Sequence, residues 1–300
     1  MSAPDVAIES RPATARNRLG DYLELTKPRV TSMVLVTTLA GFYLGAAGAF
    51  DLAVALNLMV GTALASGGTL ALNQYMERES DACMKRTRYR PLPDGRLRPP
   101  EALWFGLLTG AVGIVYLLLT VNWLAAAVTA SITATYLFAY TPLKRVSWMC
   151  SLVGAVPGAL PPVAGWAAAR GRLGAEPWVL FGIMFLWQLP HSLSIAKLYR
   201  DDYERAGIRL LPEPRNGRAP ENPVIIAASI ALLAVGALPT VMGFAGMTYL
   251  VVAGILGVAM LACALVLVSG PESAAAARRV MLASLIYLPS VLLVMVLDKI

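Results

Sequence analysis

The chain has 300 residues, 57% hydrophobic and 14% charged, against roughly 45–50% and about 25% in ordinary soluble domains. With a mean hydropathy of +0.64, this is too apolar for a soluble enzyme, and apolar runs recurring to the C-terminus exclude a disordered or fibrous chain. Three scattered cysteines support neither a disulfide framework nor a zinc site, one histidine excludes a site of several imidazoles, and the net charge of +7 suggests nucleic acid only until the charges are placed.

Residues 1–28 are polar, with Arg11, Arg16 and Arg18 among Asp5, Glu9, Asp21 and Glu24. A cleavable signal needs an apolar stretch and a transit peptide avoids acids. This segment therefore reads as a short flexible cytoplasmic tail, partly amphipathic at Tyr22, Leu23 and Leu25. Residues 29–300 read as a single membrane domain. A spanning helix needs about 20 mostly apolar residues. Nine stretches qualify: 30–50, 52–75, 102–120, 122–140, 148–168, 177–196, 223–244, 248–269 and 278–297. The fold class is thus an all-α polytopic membrane protein with nine transmembrane helices.

In chain order, the second span runs into a loop rich in both acids and bases. The third and fourth form a hairpin split near Asn122. Gly106 and Gly110 in the third, like Gly154 and Gly158 in the fifth, suit close helix packing. Pro157, Pro161 and Pro162, with Gly165, break the fifth span, which is tolerated where backbone is packed or lines a cavity. His191 lies late in the sixth span, in Trp187-Gln-Leu-Pro190-His191. A polar group at that depth is either hydrogen-bonded within the bundle or functional.

Of the 25 Lys and Arg, 22 fall in the N-terminal segment and alternate loops. Only Arg170, Arg172 and Lys299 fall on the other side. The positive-inside rule then places the N-terminus in the cytoplasm and the C-terminus outside. The basic balance is topology, and no nucleic-acid partner is expected.

Topology needs Lys and Arg, so acids in the same loops ask for another reason. Glu77, Glu79, Asp81, Asp94, Asp201, Asp202, Glu204 and Glu213 sit in the two large cytoplasmic loops or at their lips. Asn73, Glu77 and Asp81 fall at i, i+4 and i+8, one stripe on a helix continuing the second span. In the second loop, Tyr199 and Asp202 stand at i, i+3. Carboxylate and carboxamide oxygens suit Mg²⁺, which keeps waters and shares substrate phosphates. With Arg86, Arg90, Lys144 and Arg145 close in sequence or across the same face, the set describes a diphosphate site.

The stretch Asn73-x-x-x-Glu77-x-x-x-Asp81, followed by Lys85-Arg86-Thr87-x-x-Arg90-Pro91-Leu92-Pro93, resembles the first aspartate-rich motif of the UbiA-type intramembrane prenyltransferases. Thr26-Lys27-Pro28-Arg29 resembles that superfamily's lead into its first span. Three further blocks resemble its protohaem IX farnesyltransferase (haem O synthase) branch. They are Tyr140-Thr-Pro-Leu-Lys144-Arg145, the Gly154 to Trp166 stretch, and Trp187-Gln-x-Pro-His191 through Tyr199-Arg-Asp-Asp202 to Ala206-Gly207-Ile-x-x-Leu211-Pro212. The likeness runs from about residue 22 to 297. Glu77 stands where the family usually has Asp, and the second motif is sparser than in the quinone-type relatives.

The resemblance implies a nine-helix bundle around a central cavity open to the cytoplasm and to lipid. It implies farnesyl diphosphate and haem B as substrates and haem O as product, made for haem-copper terminal oxidases. Partners would then include membrane lipid and a haem A synthase or oxidase assembly proteins. Asn73, Glu77, Asp81 and Asp202 would hold Mg²⁺, with Tyr199 beside them. Arg86, Arg90, Lys144 and Arg145 would bind diphosphate, and His191, Trp187 and Trp166 would face haem. The compartment would be the cell inner membrane. Two rivals stand beside this: a prenyltransferase acting on a quinone precursor or chlorin, and a secondary transporter, whose site would lie at the midplane.

Overall fold

A computed structural model describes residues 17–48, 50–212, 219–269 and 273–300. The chain opens with α1 (Arg18–Leu25) and α2 (Pro28–Gly45). Residues 17–27, expected in a flexible tail, instead form a docked helix and a tight turn. Asn17 caps α1, its Oδ1 accepting from the Gly20 amide at 3.2 Å. Leu25 is buried with Ala71, Leu92, Leu97 and Ala102, and Arg96 pairs with both Asp21 and Glu24. Asp5, Glu9, Arg11 and Arg16 lie outside the described residues, as do Glu213, Arg215 and Arg218.

Eight helical stretches among the described residues are long and apolar enough to cross a membrane. They are α3 (Leu52–Cys83), α4 (Pro99–Thr120), the run from α5 (Trp123–Ala134) to α6 (Thr141–Leu143), the pair α7 (Cys150–Ala159) and α8 (Pro161–Arg170), α9 (Glu176–Leu198), α11 (Asn222–Val241), α12 (Met247–Ser269) and α13 (Ala274–Leu297). The short α10 (Arg200–Arg205) follows α9. The expected first span is α2, whose 18 residues include Arg29 and the hydroxyls of Thr31, Ser32, Thr37 and Thr38. It falls outside the set of eight.

The apolar stretch of the second span ends at 75, and α3 continues to Cys83, as the stripe at 73, 77 and 81 expects, because nothing from Tyr75 onward breaks a helix. Its 32 residues extend about 48 Å at 1.5 Å per residue, well beyond a hydrocarbon core of roughly 30 Å. The last turns, with Glu77 and Asp81, thus reach the lip as a rigid rod. Small residues seat α3 on α4: a Cβ on Gly68 would strike the Gly110 backbone, and one on Gly113 the Ala65 backbone. The hairpin split falls at Asn122. Its Oδ1 accepts from the Ala125 amide at 2.8 Å, capping α5. Its Nδ2 donates to the carbonyls of Ala167 and Ala168 at 3.0 and 3.2 Å, closing the end of α8.

The fifth span breaks at Leu160, where Pro161 and Pro162 start α8 in positions that need no amide proton. Gly165 and Gly41 let α8 cross α2 at backbone contact. Gly154 and Gly158 serve helix contact as expected, seating α7 against the Tyr140 ring of the preceding helical run and the Gln188 side chain of α9. The largest core lies among α8, α9, α12 and α13 and holds Trp166, Trp187, Tyr249, Tyr287 and Met295.

Candidate active site

Asn73, Glu77 and Asp81 line one face at the end of α3, 0%, 9% and 1% exposed. Buried acids need partners, and each stripe position meets a cation from another segment. Lys27 Nζ donates to Asn73 Oδ1 at 2.8 Å. Lys144 Nζ donates to Glu77 Oε1 at 2.7 Å. The Arg90 guanidinium donates to Asp81 Oδ2 at 2.6 Å. Beside them, Arg145 donates to Ser80 Oγ at 2.9 Å, and Asn73 Nδ2 to Thr141 Oγ1 at 3.1 Å.

Local structure sets these contacts. Lys27 has φ 46°, the one non-glycine residue in the left-handed region among those described. Such a conformation costs roughly 1–2 kcal/mol, and here it swings the ammonium back onto α3. Gln74, next to Asn73, fixes the turn by donating to the carbonyls of Glu24 and Leu25 at 3.1 and 3.0 Å. Lys144 is delivered by a widened π turn at Thr135–Tyr140. Pro142 has no amide proton for the Phe138 carbonyl, so the regular helix cannot continue. Such turns recur at functional sites. The Tyr140 ring lies 4.3 Å from Lys144 Nζ.

Electrostatics separates the two lysines. Burial, with the nearby Arg90 charge, pushes the Lys27 ammonium down to about 7. Burial also opposes the Lys144 charge, but Tyr140 and Glu77 outweigh it and raise its pKa well above the ordinary lysine value. A cavity of about 340 Å³ opens here, lined by Glu77, Ser80, Thr141, Lys144, Arg145 and Ile208 among others.

The second motif stands apart from the stripe. Tyr199 ends α9, and Arg86 stacks over its ring at 5.0 Å while donating to the Tyr203 hydroxyl at 3.0 Å. Asp202 pairs with Arg205, one turn along α10. Among the described residues no three His, Cys, Asp or Glu side chains converge on a point, so Asp202 is not brought to Glu77 and Asp81. The stripe itself fits a hard cation. It offers three oxygen-bearing side chains one turn apart, two of them carboxylates, and a cation that shares phosphate oxygens needs few protein ligands. Lys27, Arg90 and Lys144 already occupy those oxygens as positive partners.

His191 lies deeper in α9. Its Nδ1 is 2.7 Å from Ser284 Oγ in α13. The single Ser284 hydroxyl proton goes to the Met281 carbonyl at 2.6 Å, so Nδ1–H is the donor and Nε2 is the nitrogen left for a ligand. The ring stacks on Trp187 at 4.8 Å and 16°, and the Trp187 indole donates to the Ser284 carbonyl at 2.7 Å. Trp166 packs edge-on against Phe244, beneath Arg170.

The UbiA prenyltransferase family matches residues 34–286. The chain belongs to this family. It is 45% identical over 288 residues to the protein named protoheme IX farnesyltransferase in Solibacter usitatus (strain Ellin6076), covering 93% of this chain and 98% of that one. The protein of the same name in Koribacter versatilis (strain Ellin345) is 44% identical over 299 residues, covering 96% of each chain. In fold, the chain is similar to a digeranylgeranylglyceryl phosphate synthase, with a TM-score of 0.78 and 17% identity, covering 94% of this chain and 98% of that one. It is also similar to a UbiA homolog from Archaeoglobus fulgidus bound to GPP and Mg²⁺, with a TM-score of 0.62 and 15% identity, covering 92% and 99%.

Within this UbiA family member the structure gathers Asn73, Glu77, Asp81, Arg90, Lys144 and Arg145 at the end of α3, where Glu77, Lys144 and Arg145 line the cavity. Arg86 and Tyr199 join each other on the α10 side. Four contributors escaped the sequence reading: Lys27, Ser80, Thr141 and Tyr203. Lys27 stood inside a quoted stretch, but only the left-handed turn brings it to Asn73.

Proposed function

We propose that this chain transfers the farnesyl group of farnesyl diphosphate to a vinyl group of haem B, with addition of water, giving haem O and diphosphate. The observation that carries the reading is the pairing of one cation with each of Asn73, Glu77 and Asp81, in a chain at 45% identity to a protein of that name. The stripe of Asn73, Glu77 and Asp81 would hold Mg²⁺, which when bound neutralises charge on phosphate oxygens; Asp202, turned to Arg205, is left out of that set. Lys27, Arg90, Lys144 and Arg145 hold the diphosphate, with Arg86 at the α10 side. As the C1–O bond breaks, their positive charge stabilises the leaving group. The π electrons of the vinyl group attack the allylic cation. Water adds to the resulting cation and releases a proton, forming the hydroxyethyl group. The apolar bundle keeps other water away until then.

For the acceptor, the candidates from the sequence are His191, Trp187 and Trp166. Of these, His191 has Nε2 without a hydrogen bond among the described residues. The protein would act in the cell inner membrane with its site facing the cytoplasm, and pass haem O to a haem A synthase or to oxidase assembly. The test uses membranes containing the chain, farnesyl diphosphate, Mg²⁺ and haem B. Haem O and equimolar diphosphate are expected by mass spectrometry. A prenylated quinone precursor or chlorin in place of haem O would overturn the acceptor. Absence of diphosphate release with any acceptor would leave a transporter.

A further inference from the structure

We infer that the two carboxylates of the porphyrin acceptor dock in a second cavity at the same lip, anchored by Arg209. The inference rests on the proposed transfer to haem B and adds where that acceptor is held. The cavity measures about 720 Å³, within the roughly 300–1,000 Å³ of small-molecule sites. Arg145, Arg200 and Arg209 line it together with Trp148, Leu210 and Leu211. Arginine fits carboxylates, and apolar and aromatic surface fits a flat macrocycle.

Its position suits the chemistry. Arg145, Val146 and Ile208 line both this cavity and the one beside Glu77. One layer of side chains therefore separates the two occupants, and Val146 and Ile208 make part of that layer apolar. Protohaem carries its propionates and vinyl groups toward opposite edges. Carboxylates turned outward to Arg209 leave a vinyl edge facing the diphosphate site.

Arg209 is built to receive an anion. Arg145 is engaged by Ser80 and Arg200 by Glu204, but the exposed Arg209 guanidinium has no hydrogen bond or ion pair among the described residues. Its backbone is nevertheless pinned. The Arg209 amide donates to the Lys144 carbonyl at 2.7 Å, and the Cys150 thiol donates to the Arg209 carbonyl at 3.6 Å. Ser151 Oγ donates to the Leu210 carbonyl at 3.3 Å. Gly207, at φ 67°, makes the turn that returns this strand of chain to α7. The fixed backbone sets where the guanidinium can reach, so binding has only its side-chain rotamers to order. No diphosphate step uses this segment.

The test compares wild type, Arg209→Ala and Arg209→Lys, with haem B and with its dimethyl ester, which lacks the acids. Arg209→Ala is expected to raise KM for haem B about tenfold, the scale of one charged hydrogen bond, and to leave KM for farnesyl diphosphate unchanged. Arg209→Lys should recover most of the loss, and the ester should bind wild type and Arg209→Ala alike. Unchanged haem KM, or equal rises for acid and ester, overturns the proposal. An effect seen only in anionic lipid, alike for acid and ester, assigns the cavity to a lipid headgroup and also overturns it. The lip cavity meets α9 at Ala196, about 140° around the helix from His191. A haem-specific defect in His191→Ala with none in Arg209→Ala therefore places the acceptor elsewhere. If wild type makes no haem O, the proposed reaction fails on its own. Haem quenching of tryptophan fluorescence in wild type and Arg209→Ala then still reads the cavity.

Discussion

At the end of α3 each stripe side chain is held by a different cation, and at Glu77 and Asp81 removing either partner leaves the other charge unmatched. Asp81→Asn leaves Arg90 with a neutral partner at a 1%-exposed position. Activity should fall by about 10²–10³, the scale of losing one well-placed electrostatic contact, with the protein still inserted in the membrane. Near-wild-type turnover in membranes normalised for protein would remove Asp81 from the site. Glu77→Asp keeps the charge and shortens the arm by one methylene, so a mild loss is expected, whereas Glu77→Gln should behave like Asp81→Asn. Lys27→Met should raise KM for farnesyl diphosphate about tenfold with normal yield. An unchanged KM would make Lys27 a structural strap for α1. The stripe was legible because helix spacing alone puts Asn73, Glu77 and Asp81 on one face. Lys27 was not, because its φ of 46° depends on Gln74 holding residues 24 and 25 from another helix. The turn of Asp202 to Arg205 was open to sequence, since the two stand at i, i+3.

His191 is a residue whose two roles fail differently. The structure ties it to α13 through Ser284 and stacks it on Trp187. If Nε2 contacts haem, His191→Ala impairs use of haem B while farnesyl diphosphate binding and thermal stability stay near normal. If the ring only pins α9 to α13, the Tm in detergent falls and both substrates suffer together. Measuring KM for each substrate beside Tm separates the two.

Among the elements, small residues decide how closely helices approach, and the contact is asymmetric. A Cβ on Gly68 would drive into the Gly110 backbone, whereas one on Gly110 would meet Gly68 only at 3.8 Å, an ordinary contact. Gly68→Ala should therefore destabilise by about 1–3 kcal/mol, as overpacking does, and Gly110→Ala should be near neutral. Thermal unfolding of the two variants in one detergent checks this, and equal behaviour would contradict the α3–α4 register. The Gly106 and Gly110 pattern was readable from sequence, since three intervening residues put both on one face. Which glycine tolerates a methyl group is set by the tilt of the partner helix. The broken fifth span was readable too, because proline acts through its own missing amide. The π turn before Pro142 was not, since its reach shows only where Lys144 meets Glu77.

For the whole molecule, charge placement and helix length answer different questions. Length and hydropathy mark eight helices as spans, whereas the split of 22 of 25 basic residues needs α2 to cross as a ninth, and on that count the positive-inside rule predicts the orientation. Cys83 is exposed at the end of α3, while Cys150 is buried beside Arg209 and Cys263 sits within α12. In a Cys263→Ser background, a membrane-impermeant maleimide applied to intact cells should leave the protein unlabelled. The same reagent on inverted vesicles should label Cys83 readily. Arg172→Cys, on the expected outer side, should show the reverse pattern when Cys83 is also replaced by serine. Labelling of Cys83 from outside would turn the bundle over. It would carry Asn73, Glu77, Asp81 and their cations to the opposite face, out of reach of a cytoplasmic diphosphate substrate.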